Sequence, residues 1–430
     1  MIAVIDGRGK DINWIKSKIN RPSQMELKAE KRVVNEVLEN VKVNGDKALI
    51  EYTAKFDGVL YDCAEEMMIK REDIEEAYQS VESRYISVIR KAREMIWKFH
   101  NRQLENSWVT HDDHGVVLGQ RVLPIERVGV YVPGGRAAYP SSVLMNVIPA
   151  QVAGVSDIIL VSPPDENGKI NPYTLVAACE VECSRIFKVG GAQAIAAMAF
   201  GTSTIPKVDK IVGPGNIYVT LAKKEVYGYV DIDMTAGPSE IMVLADSYAN
   251  PVYVAADLMS QAEHDPMASA ILVTDSFELI SDVLQELERQ IQTLSTRKII
   301  EESFKNFGAL IAVDSMEQAV DIANIVAPEH LELAVENPFE LVGSIKNAGS
   351  IFLGHYTPEP VGDYIAGPNH VLPTSGTARF FSPLGVYDFV KRSNIVFYTE
   401  KALKAVGEDV VEFSGKEGLT AHANAVKVRL

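Results

Sequence analysis

Residues 260–266 read SQAEHDP and follow directly on the apolar-rich run PVYVAADLM. On a helix, Gln261 and His264 share one face one turn apart, a spacing that suits two ligands of one metal ion. The same spacing suits a plain helix C-terminus, where His264 meets the negative end of the macrodipole. Three further segments concentrate polar residues of this kind. In VAPEHLELA, Glu329 and His330 are adjacent bases of different intrinsic pKa, which suits two proton transfers. Pro328 ahead of them reads as the first turn of a helix, with Glu329 complementing its dipole. In VGDYIAGPNHVLPTSG, Asp363 and His370 sit among glycines and prolines, in a loop that no core requires. In KEGLTAHANAVKV, Glu417 and His422 lie close to the C-terminus, where an exposed tail helix is the alternative reading. Gln261, His264, Asp363 and His422 together offer nitrogen and oxygen donors that zinc accepts, at separations too irregular for a local motif.

The chain holds eight histidines and three cysteines. His100, His111 and His114 lie in a polar helix-to-loop region and His355 lies next to a loop, so these four read as solvated surface. Cys63, Cys179 and Cys183 fall outside the polar segments; Cys179 and Cys183 are expected on a helix without a neighbouring base. So few thiols suit a reducing compartment and argue against a disulfide framework.

The elements that must position these residues change character along the chain. From 27 to 105 long amphipathic patterns dominate, as in REDIEEAYQSVESRYISVIRKAREMIWKFHNRQL, where apolar residues return every three or four positions. From about residue 128 short β-rich runs alternate with helical segments: VGVYV, DIILVS, RIFKVGG, DKIVGPG, EIMVLAD, ASAILVT, ALIAVD and SIFLG. Such alternation indicates an α/β chain of parallel βαβ units with covered sheets. The stretch from Gly237 to Ser239 reads as a boundary between two such units, and after about residue 382 the strand pattern fades into a helical tail.

Several strands run into glycine turns: VYVPGG at 130–135, KVGGAQAIAAMAFG at 188–201 and KIVGPGNIYVTLAKK at 210–224. Glycine there lets the backbone approach a ligand at the sheet crevice, and a helix starting there offers free N–H groups to an anion. The last turn begins like the dinucleotide fingerprint with Gly213 and Gly215, but Tyr218 stands where the third glycine would be. A tight packing turn and a nucleotide site both fit each turn alone; three in one unit favour a nucleotide-like ligand.

Composition excludes some partners. The 430 residues carry 42 basic and 58 acidic side chains, a net charge of −16 that repels phosphate backbones and anionic membranes. MIAVIDGRGKD meets charge too early for a secretory h-region, and no run approaches the ~18 apolar residues of a membrane span. A cytoplasmic protein is expected, without nucleic-acid or membrane partners.

From end to end the chain resembles the histidinol dehydrogenase family. The most specific run is continuous from Ile232 to His264, IDMTAGPSEIMVLADSYANPVYVAADLMSQAEH, and VYVPGG, VGGAQAIAAMAFG, KIVGPGN, PEHLEL, GDYIAGPNHVLPT and EGLTAHANAV match as well. The resemblance implies a four-electron oxidation of L-histidinol to L-histidine through L-histidinal, with two NAD⁺ and one zinc ion per subunit, at the end of histidine biosynthesis. It implies two incomplete Rossmann-like domains with parallel sheets, a small N-terminal arm and a helical tail, assembled as a homodimer. The expected division is 1–23 for the arm, 24–130 with 238–382 for the domain carrying most of the site, 131–237 for NAD, and 383–430 for a tail reaching the partner. Zinc ligands would be Gln261, His264, Asp363 and His422, with His422 and Glu417 supplied across the interface. Ser239, His330, His370 and Glu417 would join the zinc set in binding substrate, and Tyr131, Gln193 and Asn216 would contact NAD. His330 would be the base for the alcohol step and Glu329 would activate water for the aldehyde step. With no thiol in the polar segments, water attack is preferred over a cysteine adduct. A dehydrogenase for another amino alcohol, a zinc hydrolase using Glu329, and a non-catalytic metal protein are the competing readings.

Overall fold

The computed structural model describes residues 2–21, 27–134, 139–183, 185–235 and 237–430. Among them the strands are, in chain order, β1 (Ala3–Asp6), β2 (Trp108–His111), β3 (Val116–Pro124), β4 (Arg127–Tyr131), β5 (Asp157–Ser162), β6 (Arg185–Lys188) and β7 (Lys210–Val212). Then follow β8 (Asp231–Ile232), β9 (Glu240–Ala245), β10 (Ser269–Thr274), β11 (Ala309–Ala312), β12 (His330–Ala334), β13 (Ser350–Leu353) and β14 (Val390–Tyr398).

Two parallel sheets form the frame. One has the order β1-β11-β10-β9-β12-β13 and the other β6-β5-β4-β7-β8. The run EIMVLA is apolar throughout most of its length because both faces of β9 are covered. Ile241, Val243 and Ala245 pack with Leu258, Leu272 and Ile280, while Met242 and Leu244 pack with Val320, Ala323 and Leu331 on the other side. Leu244 is fully buried, so Leu244→Ala would cost about 2–5 kcal/mol. The α/β class expected from the strand runs is therefore what forms, and the chain passes from one sheet to the other between Ile232 and Glu240.

Two expectations need correction. Residues 28–100 were expected with the 238–382 unit, yet their helices cover the sheet centred on β4. Val34 and Leu49 pack with Ile159, Val161 and Ile195 on one face, and Ile89 and Ile96 pack with Val128, Val130 and Ile148 on the other. The N-terminal arm is not a separate piece either, because β1 extends the six-stranded sheet beside β11, Ala3 opposite Ala309 through Asp6 opposite Ala312. The tail is helical as expected, over Glu400–Lys416 and Thr420–Lys427, but it opens on β14, which pairs antiparallel with β3 along nine residues, and β2 completes a small sheet. With none of its nine residues buried, β14 leaves no stripe for the sequence pattern to reveal.

Candidate functional site

The helix Pro251–Ala262 explains where SQAEHDP stands. Pro251 sits in its first turn, and the Asn250 side chain caps it by accepting the Val252 N–H at 2.9 Å. The helix ends at Glu263, so Gln261 lies in the last turn and His264 just beyond it. That end returns to the amino edge of the six-stranded sheet, where β10 begins. His264 is exposed; Gln261 is buried, and its Oε1 has no hydrogen-bond partner.

VAPEHLELA forms a strand, not a helix start. Helix Met316–Val326 stops at Ala327, whose φ of 51° is left-handed, and His330 opens β12 between β9 and β13. Alternation then sends Leu331 and Leu333 into the core, with His330 and Glu332 on the opposite face. His330 Nδ1 lies 3.0 Å from the carbonyl oxygen of Glu240. A carbonyl only accepts, so Nδ1 carries the proton and Nε2 keeps its lone pair. Nε2 is buried without a hydrogen-bond partner, 3.8 Å from Glu359 Oε1 and 4.0 Å from Asp363 Oδ1. Burial is the largest influence on this imidazole and pulls its pKa down to about 4; the nearby His264 and His370 act in the same direction and Asp363 opposes them. Glu329 is buried beside it, with Oε2 3.6 Å from His330 Nδ1 and accepting the Glu240 N–H at 2.9 Å. Loss of hydration pushes its carboxyl well above the ordinary range.

Asp363 lies near the end of the short helix Glu359–Tyr364, and His370 lies in the loop beyond. His370 Nδ1 is 3.1 Å from the Asp363 carbonyl oxygen, and burial lowers its pKa. Ser239 is half-buried immediately before β9, its carbonyl accepting the Ser269 N–H at 3.0 Å. Glu329, His330, Asp363 and His370 thus meet at the amino edge of the sheet, with His264 near enough for its charge to act on both imidazoles. Glu417 and His422 do not join them: both are exposed, at the end of helix Glu400–Lys416 and on helix Thr420–Lys427.

Glu359 was missed in the sequence. It is buried, its Oε1 lacks a hydrogen-bond partner, and burial followed by the charge of Asp363 raises its pKa. His330, Glu359 and Asp363 hold ligand atoms within 4.8 Å of one another, close enough to share a metal ion. The available signal was the i, i+4 spacing of Glu359 and Asp363 in TPEPVGDY, which puts two carboxylates on one helix face. His100 was misread as surface: it is buried, with Nδ1 2.8 Å from Gln103 Oε1 and Nε2 3.5 Å from Asn369 Nδ2, beside His370. The thiols offer no nucleophile, since burial raises Cys179 to about 11 and Cys183 to about 12, and a hydrogen bond with Glu65 raises exposed Cys63.

The glycine turns lie at the carboxyl edge of the other sheet. Tyr131 ends β4, and its hydroxyl accepts the Gly191 N–H at 3.2 Å. Gln193, in helix Gly191–Phe200, is buried with Nε2 3.4 Å from Asp57 Oδ2 and with Oε1 unpartnered. Asn216 caps helix Ile217–Val226 by accepting the N–H groups of Tyr218 and Val219. Gly213 has φ of 106°, and a Cβ there would stand 2.1 Å from the Tyr131 carbonyl oxygen. Tyr131, Gly191 and Gln193 form one cluster, and the Gly213 turn abuts it. The other residue that completes VYVPGG, Gly135, lies outside the described residues.

A family model described as histidinol dehydrogenase matches residues 20–430. The chain belongs to the histidinol dehydrogenase family. It is 58% identical over 398 residues to the histidinol dehydrogenase of Clostridium acetobutylicum, covering 93% of this chain and 92% of that protein. It is 54% identical over 400 residues to that of Bacillus subtilis, covering 93% of each. The crystal structure of histidinol dehydrogenase from Elizabethkingia anophelis superposes with a TM-score of 0.94 at 40% identity, covering 100% of this chain and 98% of that one. Family membership makes the chain an oxidoreductase. No helix among the described residues is long and apolar enough to cross a membrane.

Proposed function

We propose that this enzyme oxidises L-histidinol to L-histidine through L-histidinal in the closing steps of histidine biosynthesis, acting in the cytoplasm as a zinc-dependent homodimer with two NAD⁺ per turnover. The observation that carries the reading is His330: a buried, neutral imidazole whose unpartnered Nε2 faces acidic residues, with Glu329 adjacent. His330 Nε2 takes the hydroxyl proton as hydride leaves the carbinol carbon. Glu329, in its ionised form, then takes a proton from the water that adds to the aldehyde, and the hydrate loses the second hydride. NAD⁺ supplies the hydride acceptor in both oxidations, held beside Tyr131, Gln193 and Asn216.

Zinc would be held by Gln261, His264 and Asp363 with His422 from the partner subunit, and Glu417 would enter beside His422 to meet the substrate. Bound there, zinc would offer positions to the nitrogen donors of histidinol and so help these residues orient the carbinol carbon. Gln261 supports the fit, because a buried amide oxygen without a partner is costly unless a cation or donor meets it. Ser239, His370 and Glu417 complete the substrate contacts.

A substrate panel tests this reading. Zinc-loaded enzyme with NAD⁺ should oxidise L-histidinol far faster than amino alcohols lacking an imidazole. Equal kcat/KM across the panel would overturn the choice of substrate, and hydrolysis without NAD⁺ would overturn the reaction class.

A further inference from the structure

Both proposed bases hydrogen-bond to the backbone of one residue, Glu240. The Glu240 N–H donates to Glu329 Oε2 at 2.9 Å, and the Glu240 carbonyl oxygen accepts from His330 Nδ1 at 3.0 Å. The Glu240 side chain is held in turn. Arg21 Nη2 donates to Oε1 and Oε2, both at 2.8 Å, and Arg21 Nη1 donates to the Val326 carbonyl oxygen at 2.8 Å. Val326 is the last residue of its helix, and the left-handed Ala327 turns the chain from there into Glu329 and His330. One guanidinium therefore ties together the strand that aims the bases and the helix end that delivers them.

The pair is enclosed, with side-chain exposure of 26% for Arg21 and 4% for Glu240. Packing alone does not account for it. Replacing a buried ion pair by apolar residues of similar volume is often neutral or stabilising. Apolar contact would join strand and helix without fixing the rotation of either, whereas the planar fork of arginine meets three acceptors in fixed directions.

We propose that Arg21 and Glu240 are positioning residues for both proton transfers, setting where Glu329 and His330 Nε2 stand against the reacting carbon. This rests on the function proposed above. Displacing a catalytic group by about 1 Å costs on the order of 10²-fold in rate, so the clamp acts on kcat rather than on substrate affinity.

The test uses the zinc-loaded full-length enzyme and the variants Arg21→Ala, Arg21→Lys and Glu240→Gln. Arg21→Ala should lose about 10²-fold in kcat, with KM for L-histidinol and zinc content little changed. It should also show an increased primary deuterium isotope effect when the carbinol carbon is deuterated. Arg21→Lys should recover part of the loss, since a point charge reaches some but not all of the acceptors. Glu240→Gln keeps the shape and should lose less than Arg21→Ala. A readout independent of turnover is the downfield Nδ1–H resonance of His330, assigned by its disappearance in His330→Asn. Arg21→Ala should shift it and Arg21→Lys should shift it less.

An unmoved resonance, or wild-type kcat in Arg21→Ala, would overturn the positioning role. So would kcat lost only in proportion to zinc content, with lysine no better than alanine. A moved resonance together with a wild-type enzyme that forms no NADH from histidinol would sink the proposed substrate and leave the clamp standing.

Discussion

At the scale of residues, two adjacent side chains are pushed in opposite directions by the same cause. Burial lowers His330 to about 4 and raises Glu329 above the carboxylate range. A base must be unprotonated to work, so the sign follows for each. His330 stays neutral until the pH falls to about 4, and the acid limb of kcat/KM for L-histidinol should lie near there rather than near the ordinary 6.5. Glu329 takes up its proton earlier on acidification, so oxidation of supplied L-histidinal should fail at a higher pH than an ordinary carboxylate near 4.5 would cause. Separate pH profiles for the two substrates check this; a histidinol limb near 6.5 would contradict it. Replacing His330 by Asn should lower turnover by about 10²–10⁴-fold while zinc content holds, measured by assay and metal analysis. Zinc loss instead would reassign His330 as a ligand. His330, Asp363 and His370, which the fold brings together, were legible because polar side chains stood out in apolar or glycine- and proline-rich runs. Glu359 was not, because a glutamate becomes unusual only once the fold buries it.

Elements were legible where both sides of a strand are covered. β9 and β10 read as apolar runs because helices lie on both faces. In sequence β12 reads as a helix start because Pro328 and Glu329 satisfy the chemistry of a first turn, while the left-handed Ala327 that ends the preceding helix leaves no trace in residue type. The two clusters use opposite edges of different sheets: the proposed bases lie at the amino edge of one and the glycine turns at the carboxyl edge of the other. Gly213 makes the second edge testable. Its φ of 106° and the 2.1 Å approach to the Tyr131 carbonyl oxygen leave no room for a methyl group. Gly213→Ala should raise KM for NAD⁺ by about tenfold or more, a shift of roughly 1.4 kcal/mol, and leave zinc content unchanged. An unaltered KM for NAD⁺ would remove this turn from the cofactor site.

For the whole molecule, sequence-distant segments complete one another: β1 joins β11, and β14 joins β3. Such pairings depend on the assembled fold, and local patterning carries little sign of them. His422 and Glu417 go one step further, since within one chain both are exposed and apart from the bases. The tail around them exposes Val396, Phe397, Phe413 and Val428, apolar surface that a second subunit would cover in the proposed dimer. Mixing inactive His422→Ala and His330→Ala chains should therefore regain activity in hybrids, because one of the two sites receives both intact residues. No regain in verified hybrids would place His422 in its own subunit's site or outside the site.

The most direct test of the central claim is the yield of NADH from limiting L-histidinol, with zinc-replete enzyme and excess NAD⁺. Two NADH per histidinol, with histidine as the product, is the expected result and shows that both oxidations occur on this enzyme. One NADH with histidinal released would contradict the assignment of Glu329 to the second step, and none from folded, zinc-bound protein would contradict the substrate itself.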